Sequence, residues 1–171
     1  MSDADDPKTK RFRDLLDRGL RRWSGVARAY AAPADREDLV QEIALQVWRS
    51  LDGFRGDAGL DTYAYRVAIN TALAWKRRLT TRRDRLSEAP IDVERLPGNA
   101  PNCGGSAEAV LDDFLASLSA SDRAVMVTFL DDLSGVEAAE VLGISPGAYR
   151  VRLHRLRQRF ESRYTSGGGA L

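Results

Sequence analysis

Between Ser145 and Phe160 the chain carries Arg150, Arg152, Arg155, Arg157 and Arg159, together with its single histidine, His154. A guanidinium fork matches phosphate oxygens and the O6/N7 edge of guanine, so such a cluster can serve as a reader of duplex DNA. At about 100° per residue, Tyr149, Leu153, Leu156 and Phe160 share one arc of about 80°, an expected buried stripe. Val151, His154, Arg155 and Gln158 lie roughly opposite, flanked by Arg150 and Arg157. Arg150, Val151 and His154 are then expected nearest the bases, with Arg152, Arg155 and Arg157 mainly on phosphate. His154 alone discriminates nothing, because a solvent-facing histidine fits the same position. For the segment as a whole the competing reading is a solvated basic helix.

A second cluster lies in "DTYAYRVAINTALAWKRRL", where Tyr63, Arg66, Asn70 and Arg77 gather within about 80° on a helical wheel. An aromatic ring, an amide and two guanidiniums on one face suit a single-stranded or distorted nucleic acid, through base stacking and phosphate contacts. A core tyrosine beside solvated polar residues explains the same pattern equally well. On the preceding helix Asp38, Glu42, Leu45 and Arg49 line up, with Gln41 beside them, and a leucine in an exposed acidic stripe suggests a protein partner. No glycine-rich phosphate loop, metal-ligand cluster or nucleophile–base pair is present, so no catalytic residue, metal or cofactor is expected. Cys103 is the only cysteine, which leaves no internal disulfide.

These clusters need helices to position them. Phe12, Leu15, Leu16, Leu20, Trp23, Val26 and Tyr30 recur at steps of three and four, giving a helix over 11–30. Pro33 interrupts, Asp35 is the expected N-cap, and Leu39, Val40, Ile43, Val47, Trp48 and Leu51 mark the inner face of the next helix. After "DGFRGDAGLD", Asp61 or Thr62 is expected to cap a helix reaching about Leu79, with Ala64, Tyr65, Ala68, Ala72, Trp75 and Leu79 inward. Residues 80–108 are rich in Pro and Gly and read as a linker. Helical pattern resumes from Ala109 with Val110, Leu111, Phe114, Leu115 and Leu118, then Val125, Met126, Phe129 and Leu130. Ser134 and Glu137 form a capping box, Gly143 supplies an exit, and Ser145–Pro146 opens the basic helix. A short helix, a glycine turn and a longer basic helix make a helix-turn-helix. No stretch alternates with period two, so the fold class is all-α.

The 171 residues carry a net charge of only +1. The distribution matters more: residues 110–144 hold one arginine and seven acids (−6), residues 145–163 six arginines and one acid (+5). Segregated charge of this kind can focus a field on a polyanion. There is no apolar run long enough to span a bilayer, and "MSDADDPKTKRFRDLL" lacks the apolar core of a signal peptide. A cytoplasmic protein without membrane insertion is expected.

"ADREDLVQEIALQVWRSLDGFRG", "LDTYAYRVAINTALAWKRR" and "SGVEAAEVLGISPGAYRVRLHRLRQRF", in that order, resemble the extracytoplasmic-function (ECF, group 4) sigma factors of bacterial RNA polymerase. The resemblance implies two small helical domains and a flexible linker: sigma domain 2 over 10–79, a linker over 80–108, sigma domain 4 over 109–163 and a disordered tail over 164–171. It implies core RNA polymerase as partner, through its β′ clamp helices and β flap, with Asp35, Glu37, Asp38, Gln41, Glu42 and Leu45 on the clamp side. It implies promoter DNA as target. The −10 element would be captured and melted by Arg55, Asp61, Thr62, Tyr63, Arg66, Asn70 and Arg77. The −35 element would be read by Ser145, Arg150, Val151, Arg152, His154, Arg155 and Arg157. Family members are often held inactive by an anti-sigma factor wedged between the lobes. Tyr63 stands where the family often has tryptophan, Tyr149 replaces a smaller residue, and Leu156 replaces a usual alanine. A stand-alone helix-turn-helix regulator is the alternative, but it has no use for the acidic "DREDLVQE" surface. A helical adaptor that binds only proteins is disfavoured by the +5 segment.

Overall fold

A computed structural model of the chain describes residues 6–86 and 106–164. Seven α-helices make up the described residues: α1 Pro7–Tyr30, α2 Arg36–Ser50, α3 Leu60–Leu86, α4 Ala107–Ala116, α5 Ala120–Leu130, α6 Gly135–Leu142 and α7 Pro146–Tyr164. Single 3-10 turns, Pro33–Asp35 and Leu51–Gly53, join α1 to α2 and follow α2. There is no strand among the described residues. Most of the expected linker, 87–105, lies outside the described residues, as do the tail residues 165–171.

The first lobe packs α1, α2 and α3 against one another. Leu15, Trp23, Val26, Leu39, Ile43, Val47, Ala68 and Ile69 are among its most completely buried residues; fully burying a large apolar side chain contributes roughly 1.5–3 kcal/mol. Alanines at 64, 68 and 72 are buried and let α3 approach its neighbours closely. Gly19 leaves room for the Trp23 ring one turn along α1, since a Cβ there would stand 3.0 Å from it.

In the second lobe, Phe114 is fully buried and meets Phe160 edge-on at 5.0 Å, with Tyr164 at 6.2 Å. Tyr149 and Leu156 are buried and Leu153 and Phe160 half-buried, as the wheel of α7 requires.

Several boundaries differ from those the sequence suggests. α3 runs on to Leu86 because "TTRRDRL" contains neither Gly nor Pro, and Thr80 donates back to the Lys76 carbonyl without breaking the helix. It also begins at Leu60, so Asp61 and Thr62 sit inside its first turn and do not cap it. The Asp35 side chain makes no cap bond at α2. Leu20 is 45% exposed, because it lies about 90° from the centre of the α1 stripe. Leu79 is also exposed. α2 has 15 residues and α3 has 27, about 22 and 40 Å at 1.5 Å per residue, so the end of α3 outruns its partners. Phe129 and Leu130 are exposed at the end of α5, Phe129 beneath the Arg157 guanidinium at 5.8 Å.

Candidate nucleic-acid interface

The helix-turn-helix is assembled by local hydrogen bonds. Ser134 Oγ accepts from the Glu137 backbone N–H at 3.2 Å and the Glu137 carboxylate accepts from the Ser134 N–H at 3.0 Å, the reciprocal capping box. Those bonds hold the Glu137 carboxyl below its ordinary value. Gly143 takes φ +66, the left-handed conformation that ends α6 without a Cβ clash. Ser145 Oγ then accepts from the Ala148 N–H at 3.1 Å and starts α7. Tyr149 turns inward and its hydroxyl lies 3.4 Å from that of Thr128, which donates to the Val125 carbonyl.

With its inner face fixed by Tyr149 and Leu156, α7 turns Arg150, Val151, Arg152, His154, Arg155 and Arg157 outward, all exposed, Val151 at 51%. Among the described residues, Arg150, Arg152, His154 and Arg155 enter no hydrogen bond or ion pair. Arg159 and Arg163 are turned to internal use: Arg159 donates to the Ser117 carbonyl at 3.4 Å, and Arg163 pairs with Asp113 at 3.0 Å. The free guanidiniums therefore cluster along the first three turns of α7.

On the first lobe, α2 and α3 together frame a hollow of about 540 Å³ lined by Glu42, Gln46, Arg49, Ser50, Asn70 and Arg78. Glu42 accepts from Gln46 at 3.1 Å and lies 3.8 Å from Arg78, so it is partly engaged. Asp35 is half-buried; Glu37, Asp38, Gln41 and Leu45 are exposed along α2. Tyr63 is half-buried, its ring tilted against Phe54 at 5.1 Å and its hydroxyl donating to the Ser50 carbonyl at 3.1 Å. Arg55 is exposed before α3, and Thr62 is half-buried. Asp61 accepts from Arg18 Nε at 3.2 Å. Asn70 and Arg77 are exposed. Arg66 stands apart from the others: its Nη2 donates to the Glu140 carbonyl of the second lobe at 2.6 Å. Sequence reasoning missed Arg78, which follows Asn70 by eight residues, close to two turns, and so could have been found from spacing.

Two family models match in chain order: Sigma-70 region 2 over residues 10–82 and Sigma-70 region 4 over residues 108–160. The chain belongs to the ECF sigma factors of RNA polymerase. The ECF RNA polymerase sigma-E factor of Escherichia coli strain K12 is 27% identical over 170 residues, covering 90% of this chain and 86% of that protein. Its counterpart from Haemophilus influenzae is 28% identical over 166 residues, covering 90% and 87%. CnrH, solved in complex with the cytosolic domain of CnrY, has a TM-score of 0.64 and 25% identity, over 88% of this chain and 85% of that one. The sigma factor RpoE of Bartonella quintana, solved with the anti-sigma factor NepR, matches in fold at TM-score 0.69 and 21% identity, covering 90% and 96%. This sigma factor therefore acts in promoter-specific transcription initiation, and the stand-alone helix-turn-helix regulator is not the favoured reading. No helix among its described residues is long and apolar enough to cross a membrane.

Proposed function

We propose that the sigma factor docks on core RNA polymerase through α2 and presents two DNA-reading faces, one on each lobe. Residues 10–79 serve as the polymerase-binding and −10 lobe, and 109–163 as the −35 lobe. The exposed carboxylates Glu37 and Asp38, with Asp35, Gln41, Glu42 and Leu45, meet the β′ clamp helices, and the second lobe meets the β flap. Tyr63, Arg66, Asn70 and Arg77, with Arg55, Asp61 and Thr62, hold the opened −10 strand. Extruding a base costs a few kcal/mol, which stacking and pocket contacts offset. Ser145, Arg150, Val151, Arg152, His154, Arg155 and Arg157 engage the −35 duplex. The protein acts in the cytoplasm, performs no catalysis itself, and is open to capture by an anti-sigma factor, as RpoE of Bartonella quintana is held by NepR.

The observation that carries this reading is the outward row of uncommitted guanidiniums on α7, set on a fully capped helix-turn-helix. Capture of core polymerase tests it, with wild type beside Asp38→Lys, Glu42→Lys. Wild type is expected to retain polymerase and the variant to lose it at unchanged helical content by circular dichroism. Equal capture by both would remove α2 from the polymerase surface.

A further inference from the structure

The two lobes meet along a polar seam that frames a hollow of about 320 Å³ between the end of α1, the turn into α2, and helices α3, α4 and α5. Its walls carry four cations, Arg28, Arg36, Lys76 and Arg123, and a single carboxylate, Asp112. Tyr30 supplies an aromatic wall, with the Arg123 guanidinium over its ring at 5.4 Å. Hollows of this size take small molecules.

The carboxylate is already claimed. Both Asp112 oxygens accept from Arg28, at 3.0 and 3.2 Å, and Arg36 Nη2 lies 3.9 Å from one of them. Arg123 is 7% exposed, and its fork donates to the carbonyls of Ala29, Ala116 and Leu118 at 3.0, 3.2 and 3.1 Å. No carboxylate among the described residues pairs with it. Burial lowers the Arg123 pKa, with Tyr30 as the opposing influence. The Nε donors of Arg36 and Arg123 are both buried without a hydrogen-bond partner among the described residues. The hollow therefore has more cationic donors than acceptors, and a buried guanidinium without a counter-charge is costly.

The shape of the donor set selects the chemistry. Its guanidiniums come from three elements, the end of α1, the start of α2 and the first turn of α5. A planar carboxylate with two oxygens cannot face all three. A phosphate ester presents three strong acceptor oxygens and close to two negative charges, which suits several forks at once. A long nucleic acid fits less well, because none of the walls belongs to the −10 or −35 candidates.

From these observations we infer that the hollow is a binding site for a small phosphate-bearing anion, held by Arg36 and Arg123, with Arg28 and Lys76 adding positive charge. The phosphate supplies the counter-charge that Asp112 alone does not. The site is separate from the DNA-reading faces and does not depend on their assignment.

The test is isothermal titration calorimetry on the full chain at constant ionic strength, with inorganic pyrophosphate and ADP as probes. Wild type should bind one pyrophosphate per chain. Among the described residues, Arg36 makes no hydrogen bond, and its ion pair is the 3.9 Å contact with Asp112. Arg36→Gln should therefore keep its helical content and bind at least about tenfold more weakly, the loss expected for one charge-assisted contact. Arg36→Lys keeps the charge without the fork and should fall between the two. Arg155→Ala, on the outward face of α7, should alter affinity no more than about twofold, as a distant, independent site would. Saturating pyrophosphate should also raise the wild-type Tm, since the anion binds the folded chain. Tighter binding of ADP than of pyrophosphate would identify a nucleotide as the source of the phosphate, and the reverse order a free anion; either supports the site. An absence of heat from both probes at millimolar concentration overturns the proposal, as does wild-type affinity in Arg36→Gln. Equal weakening by Arg36→Gln and Arg155→Ala also overturns it, because the anion would then be reading general surface charge.

Discussion

Arg155 offers a clean test of how α7 meets DNA. It is exposed on the outward face, and among the described residues no hydrogen bond or ion pair engages it. Arg155→Ala should therefore leave the fold intact and remove one phosphate contact. Each neutralised phosphate contributes about 0.9 to the slope of log K against log salt, so the variant's slope should be shallower by that amount. Between about 50 and 200 mM salt, a fourfold change, the wild-type advantage should shrink by 4 to the power 0.9, or about 3.5-fold. The assay is fluorescence anisotropy of the reconstituted holoenzyme on a labelled −35 duplex across that range. The same loss should appear on sequences altered at single −35 positions, because a phosphate contact carries no base information. Arg150→Ala is the contrast: about 1–3 kcal/mol lost, concentrated at one base pair, if its fork reaches a guanine edge. Parallel salt slopes for wild type and Arg155→Ala would refute the phosphate role. Arg157 should show a smaller slope change than Arg155, since its guanidinium already lies over Phe129.

Arg123 is 7% exposed and donates to the carbonyls of Ala29, Ala116 and Leu118; Arg123→Ala should cost about 3 kcal/mol, the worth of charge-assisted bonds to buried acceptors. At about 2–4 °C per kcal/mol for a chain of this size, Tm in a circular-dichroism melt should fall by about 6–12 °C, and a fall under about 2 °C would contradict the assignment. Burial raises the Asp131 carboxyl above its ordinary 3.8, against the lowering effects of the Tyr65 hydrogen bond and of Arg22 and Arg21. The native state thus holds the proton more tightly, so ionisation costs stability as pH rises from 3.8 to the raised value and by a constant amount above it. Asp131→Asn should gain stability relative to wild type between pH values of about 4 and 7 in urea titrations, and a pH-independent difference would exclude this penalty. Ser134→Ala, which removes the α6 cap, should cost about 1 kcal/mol by the same titration, with an unchanged midpoint counting against the box.

What was legible in the sequence is what the backbone decides over three or four residues. The Ser134–Glu137 box, the Gly143 exit and the Ser145–Pro146 start are all bonds between near neighbours, and residue type alone suffices to place them. The inner and outer faces of α7 follow from a single helical period. Leu79 shows the limit of that reasoning, since periodicity marks a stripe but not how far the partner helix extends to cover it. Arg66 shows a harder limit. Its wheel position groups it with Tyr63, Asn70 and Arg77, yet its bond to Glu140 spans 74 residues of chain, and no local pattern encodes such a pairing.

The charge segregation takes on a different meaning once those long-range pairings are known. Residues 110–144 carry a −6 balance beside the +5 segment of the basic helix. Most of those acids have internal tasks. Asp112 holds Arg28 across the seam, Asp131 receives Tyr65, and Asp113 accepts from both Arg163 and Tyr164. Asp122 hydrogen-bonds with the Ser119 hydroxyl at the start of α5, and Glu137 closes the capping box. Among the described residues, Asp113 pairs with Arg163 at the far end of α7, and Arg150, Arg152 and Arg155 remain unpaired. The acidic stretch thus joins the lobes and braces the last turns of α7, while the positive charge of its opening turns is left unneutralised for a polyanion.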